Sequence, residues 1–91
     1  MKRIVEFPVT FLNAVDFECI VAEDTEILAP IIVDNELKLR ILEPVKSEHS
    51  HIKRRFVLYN LSDTLDENTI KAYIGSLEYN GVKKHIFEIK W

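Results

Sequence analysis

Apolar side chains in this chain recur mostly at every second position, the period of a half-buried β-strand. Over 15–21, Val15, Phe17, Cys19 and Val21 fall on one side and Asp16 and Glu18 on the other. Residues 2–8 bring in the β-branched Ile4 and Val5 and the aromatic Phe7, and Pro8 either ends that strand or confines it to a sheet edge. Residues 26–33 and 36–43 predict a hairpin turning at Asp34-Asn35, two residues that tolerate positive φ. A two-residue turn sets Ile32 opposite Leu37, Pro30 opposite Leu39, Leu28 opposite Ile41 and Glu26 opposite Glu43. That face is apolar up to its open end. The other face pairs Val33 with Glu36, Ile31 with Lys38 and Ala29 with Arg40. One apolar face and one mixed face suit a sheet laid over a core. Pro30 lacks a donor, which predicts an edge strand or a bulge there.

A polar stretch over 44–52 reads as a loop, and 53–60 as a further strand with Phe56 and Leu58 alternating against Val57 and Tyr59. The segment after it admits two readings. Thr64 followed by Glu67 has the form of a capping box, with Leu65, Ile70, Tyr73, Ile74 and Leu77 along one helical stripe and Gly75 beyond its end, which allows one short helix within 64–74. Alternatively 71–78 pairs with 82–90 across Asn80-Gly81, the strongest short hairpin signal in the chain. That register sets Glu78 against Lys83, Ser76 against His85, Ile74 against Phe87 and Ala72 against Ile89, and we favour it. The expected fold is mainly β: a small antiparallel β-sandwich or barrel of about seven strands (2–8, 15–21, 26–33, 36–43, 53–60, 71–78, 82–90) in a single domain over 1–91.

Composition narrows the classes. A chain of 91 residues with 47% apolar residues folds as one domain, burying about 60–65% of its unfolded surface. The net charge of −3 provides no electrostatic case for nucleic acid as the partner. Acidic side chains interrupt any early apolar stretch, and no run is long enough to span a membrane, so a soluble cytoplasmic protein is expected. The single cysteine, Cys19, alternates with Phe17 and Val21 and reads as a small buried hydrophobe. Charge is unevenly spread: Asp16 to Glu43 holds eight acids against two bases, and Lys46 to Arg55 holds four bases against one acid.

Chemistry-bearing clusters are few. Glu48, His49 and His51 lie close in sequence, but a zinc site needs three or four protein ligands, and Cys19 and His85 both sit in expected strands. Two glycines exclude a Gly-rich phosphate loop. No metal, cofactor or catalytic constellation is therefore expected. The basic segment His51, Lys53, Arg54 and Arg55 opens a strand, with Arg54 and Arg55 on opposite faces. Guanidinium and ammonium groups so placed suit a phosphate or carboxylate, with Tyr59 offering a stacking surface beside them. The structural counter-reading is that these bases pair with the acidic first half of the chain.

The ordered segments KRIVEFP, EIL, LKLRILEP, KRRF, YIGSLEYNG and HIFEI resemble a family of small tailed-bacteriophage proteins of unknown function, over nearly the whole chain. Asp34-Asn35 and Leu37-Lys38-Leu39 depart from the glycine and tryptophan that family members often carry there. The resemblance brings no catalytic residue. It implies a phage accessory protein. With an intact β framework, no chemical constellation and a lopsided charge, the expected role is binding and inhibiting a host bacterial protein of defence or takeover in the host cell cytoplasm, and a small sheet with edge strands points to a homo-oligomer. The alternative expectation is a sponge that holds a cyclic or ADP-ribose-type nucleotide second messenger between subunits, using Lys53, Arg54, Arg55 and a tyrosine.

Overall fold

The computed structural model describes residues 1–45 and 50–90. It is all-β, with two antiparallel sheets that form a small sandwich. The strands are β1 (Lys2–Pro8), β2 (Thr10–Phe11), β3 (Asp16–Ala22), β4 (Glu26–Val33), β5 (Glu36–Pro44), β6 (His51–Asn60), β7 (Ile70–Tyr79) and β8 (Val82–Ile89). One sheet runs β1-β5-β4 and the other β2-β3-β6-β8-β7. The seven expected strands are all present. The eighth, β2, is two residues long: past Pro8 the chain crosses to the second sheet and pairs Phe11 with Phe17.

The short helix within 64–74 does not form. Asp66 organises a turn in its place, its carboxylate accepting from the Asn68 amide at 3.0 Å and its carbonyl from the Thr69 amide at 2.9 Å. Such side-chain bonds compete with helical ones. The chain then enters β7 at Ile70, where pairing with β8 satisfies the backbone.

Both hairpin turns have positive φ at their two central residues, Asp34 (52°) and Asn35 (65°) in one, Asn80 (53°) and Gly81 (79°) in the other. Near the turns the expected registers hold: Ile32–Leu37, Pro30–Leu39, Glu78–Lys83 and Ser76–His85 are all paired. Further away, bulges change them. A bulge between Ile27 and Ala29 puts Ile27, not Leu28, opposite Ile41, and Glu26 opposite Leu42 instead of Glu43. Two glutamates thus avoid facing each other, and Glu43 instead accepts from Arg3 Nε at 2.9 Å on the other side of β5. Leu28 is left 41% exposed. In β7, two further bulges bring Tyr73 opposite Phe87 and Ala72 opposite Glu88, replacing the expected Ile74–Phe87 and Ala72–Ile89 pairs. Gly75 sits at one of them, and a β-carbon there would lie 2.9 Å from Pro30 Cδ. The missing side chain lets β7 pass close against the edge strand β4.

The core is built from alternate residues of four strands: Phe17, Cys19 and Val21 of β3, Leu37, Leu39 and Ile41 of β5, Phe56 and Leu58 of β6, and Ile86 of β8. Phe17 and Phe56 stack at its centre, 5.2 Å between ring centroids. With these positions turned inward, Arg55, Val57 and Tyr59 of β6 and His85 and Phe87 of β8 necessarily face outward.

Candidate binding face

The outward side of the five-stranded sheet carries an aromatic cluster. The Phe87 ring lies edge-on to Tyr59 on one side (5.7 Å, 79°) and to Tyr73 on the other (5.0 Å, 61°). Tyr73 also contacts the His85 ring at 6.1 Å, and its hydroxyl lies within hydrogen-bond distance of His85 Nδ1, at 3.1 Å. Tyr73 is 54% exposed. The β7 bulges place it here by setting it against Phe87. Three neighbouring strands thus supply one ring surface with polar atoms at its margin, the mixture favoured where a surface is covered by a partner.

Beside the rings runs a band of ion pairs. Arg55 Nη2 donates to Asp16 Oδ2 at 2.9 Å, and Lys53 Nζ lies 3.7 Å from Glu18 Oε2. Asp16 is fixed from its other side as well. Asn13 Nδ2 donates to the same carboxylate at 2.9 Å, while Asn13 Oδ1 accepts from the amides of Val15 and Asp16. The Asn13 hydrogen bond first, and the Arg55 guanidinium after it, hold the Asp16 carboxyl below its ordinary range.

The residues singled out in the basic segment separate. Lys53, Arg55 and Tyr59 share the outward face, and His51 is exposed at the start of β6 opposite Ala22. Arg54 turns the other way. Its Nε and Nη2 donate to the two carboxylate oxygens of Glu88, and its Nη1 donates to the Thr25 carbonyl at 2.7 Å. The pairing of this segment with the acidic first half is realised by Arg55–Asp16 and Lys53–Glu18, while Arg54 takes its partner from the C-terminal strand. Glu48 and His49 lie outside the described residues. Among the described residues no group of three or more His, Cys, Asp or Glu is placed to hold a metal.

Tyr73, His85 and Phe87 were absent from the expected site because the tail reads as hairpin and core. The signal that finds them is parity: with Ile86 inward, His85 and Phe87 lie outward beside Tyr59. Recesses of about 280, 290 and 300 Å³ lie elsewhere, between the β1–β2 crossing and β3 and around the two hairpin tips. The rings line none of these three. Comparison with protein-family models, with curated proteins and with solved structures finds no match for this chain.

Proposed function

We propose that the protein acts by binding, and that the outward aromatic face of the five-stranded sheet docks onto a partner protein whose activity it blocks. The observation that carries this reading is the Tyr59–Phe87–Tyr73–His85 cluster, in which Tyr73 is exposed and the other three rings are half-buried, on a sheet face that no other strand covers among the described residues. Tyrosine and phenylalanine at the middle of a patch with charged residues at its border form the usual anatomy of a protein-binding surface. The viral setting, and a host bacterial protein as the target, rest on the sequence resemblance alone.

A nucleotide ligand is the second reading. What favours it is the placement of Tyr59 on the same face as Lys53 and Arg55, a stacking surface with cations along the same strand. Arg54 is committed to Glu88, so that reading must do without it.

The test combines two measurements. Immobilised wild-type protein retains a bacterial protein from infected-cell extract, and Tyr73→Glu, which melts at the wild-type temperature, does not. Equal retention by both proteins rules out this face. A panel of signalling nucleotides in a thermal-shift assay addresses the second reading, since a ligand at a thousand times its Kd stabilises by about 4 kcal/mol.

A further inference from the structure

We propose that the protein forms a two-fold symmetric dimer through the free edge of β1, with the two copies of this strand antiparallel and centred on Ile4. This inference is independent of the aromatic face, which lies on the other sheet.

Among the described residues β1 borders its sheet and pairs only with β5. The ladder determines which backbone groups are left over. The Val45 amide donates to the Met1 carbonyl at 3.1 Å, so Met1 directs that oxygen towards β5. By alternation along the unbroken register, Arg3, Val5 and Phe7 do the same, and Lys2, Ile4 and Glu6 direct their amides and carbonyls away from it. Pro8 is next in that outward series and has no amide hydrogen, so the usable edge ends there. Ile4, in the middle of this row, is 66% exposed.

The other edges are blunted. β2 has two residues, β4 carries Pro30 and a bulge, and β7 carries two bulges. Such devices are what keep sheet edges from pairing, and the central stretch of β1 has none of them.

The strand is complementary to itself in one register. Centred on Ile4, the two-fold axis sets Lys2 against Glu6 of the second copy, twice by symmetry, and Ile4 against Ile4. Opposite charges then meet at both ends of an apolar centre. About six inter-copy backbone hydrogen bonds follow, two at the Ile4 pair and two at each Lys2–Glu6 pair. Neighbouring registers fail: centring on Arg3 sets that arginine against itself, and centring on Val5 sets Lys2 against Pro8, which cannot donate. Within the monomer Glu6 meets Arg40 at 3.4 Å and Lys2 Nζ donates to the Asp24 carbonyl at 2.9 Å. Both contacts are exposed and loosen at little cost. The product is a continuous antiparallel sheet in the order β4-β5-β1-β1-β5-β4.

Sedimentation equilibrium from micromolar to near-millimolar concentration tests this on the intact chain. Wild type shows a monomer–dimer equilibrium. Lys2→Glu alone and Glu6→Lys alone each weaken it about tenfold or more, because each substitution opposes like charges twice. The double variant Lys2→Glu/Glu6→Lys restores the opposite-charge pairs and returns the dissociation constant to within about threefold of wild type. Melting curves confirm that all three variants are folded. A monomer at every concentration overturns the proposal, as does a dimer indifferent to the single substitutions or one that the double variant fails to rescue. Tyr73→Glu leaves the dimer intact, so failure here and failure of the proposed function are separately visible.

Discussion

Arg54 and Glu88, on the neighbouring strands β6 and β8, form a fork-to-fork ion pair on the inward side of the five-stranded sheet, with Nε–Oε2 at 2.7 Å and Nη2–Oε1 at 2.6 Å. Their side chains are 13% and 3% exposed. The hydrogen bond to Glu88 is the main cause that raises the Arg54 pKa above its ordinary value, against the opposing effect of burial. Each charge needs the other here, because an uncompensated charge in this position has neither water nor a second full partner. Lys71 Nζ, 3.5 Å from Glu88 Oε2, is more than half exposed and cannot replace the guanidinium fork. Glu88→Ala or Arg54→Ala is expected to cost about 3–5 kcal/mol, whereas replacing both by Leu or Met is expected to be near neutral. Urea denaturation of the two single variants and the double variant measures this. A double variant as unstable as the singles would refute it.

Gly75 meets Pro30 where β7 crosses the edge of the other sheet. Its φ of 153° and the 2.9 Å approach of Pro30 Cδ both oppose a side chain. Gly75→Ala is expected to destabilise by about 1–3 kcal/mol. Because Pro30 is a ring with little freedom to retreat, part of that loss should return in Gly75→Ala/Pro30→Ala. Chemical denaturation midpoints of the set decide this, and strict additivity would argue against contact as the cause.

How much of this is legible in the chain follows from how far apart the deciding partners lie. Alternation predicts the hairpins and, near their tips, the pairs Ile32–Leu37 and Glu78–Lys83, because a two-residue turn transmits register directly. Bulges are not legible this way. The one at Leu28 separates Glu26 from Glu43 and accompanies the Arg3–Glu43 contact, and the one at Gly75 answers to Pro30, both distant in sequence. The inward turn of Arg54 is readable in part, since it shares parity with Phe56 and Leu58, as Glu88 shares it with Ile86. That the two meet depends on β6 and β8 being neighbours, which no local pattern encodes. The aromatic face has the same origin: Tyr59 is recognisable alone, but its grouping with Tyr73 needs both the strand order and the β7 bulges.

Burial pushes the Cys19 thiol up to about 11 from an ordinary value of 9, with the nearby Arg54 charge opposing the shift. Raised in the folded state, the thiol keeps its proton where the unfolded chain has already lost it. Stability from this group is therefore complete below pH 9 and is lost as pH rises towards about 11. Cys19→Val removes the titration. Wild type should lose stability relative to that variant over this interval, and its thiol should react with an aromatic disulfide at pH 8 only as fast as the protein opens. Prompt labelling of the native protein would contradict the burial.

Asp16 links the turn after β2 to the binding face, accepting from Asn13 and Arg55 through one carboxylate. Its lowered pKa has the opposite sign to that of Cys19: the unfolded chain takes up the proton first as the solution is acidified. The contribution of Asp16 is thus present above about pH 4 and is lost as pH falls through the folded-state value. Asp16→Asn keeps the size of the side chain but loses the charge that holds Arg55, at an expected cost of about 1 kcal/mol at pH 7. The gap between wild type and variant should stay constant from pH 7 to 5 and narrow below 4, because protonation then makes the wild-type side chain neutral too. Arg55 borders the aromatic face, so the same variant should also reduce partner retention at neutral pH without unfolding the sheet. Urea titrations at pH 7, 5 and 3.5 give the stability gap. A gap that widens with acid would mean that Asp16 is held in its protonated form instead.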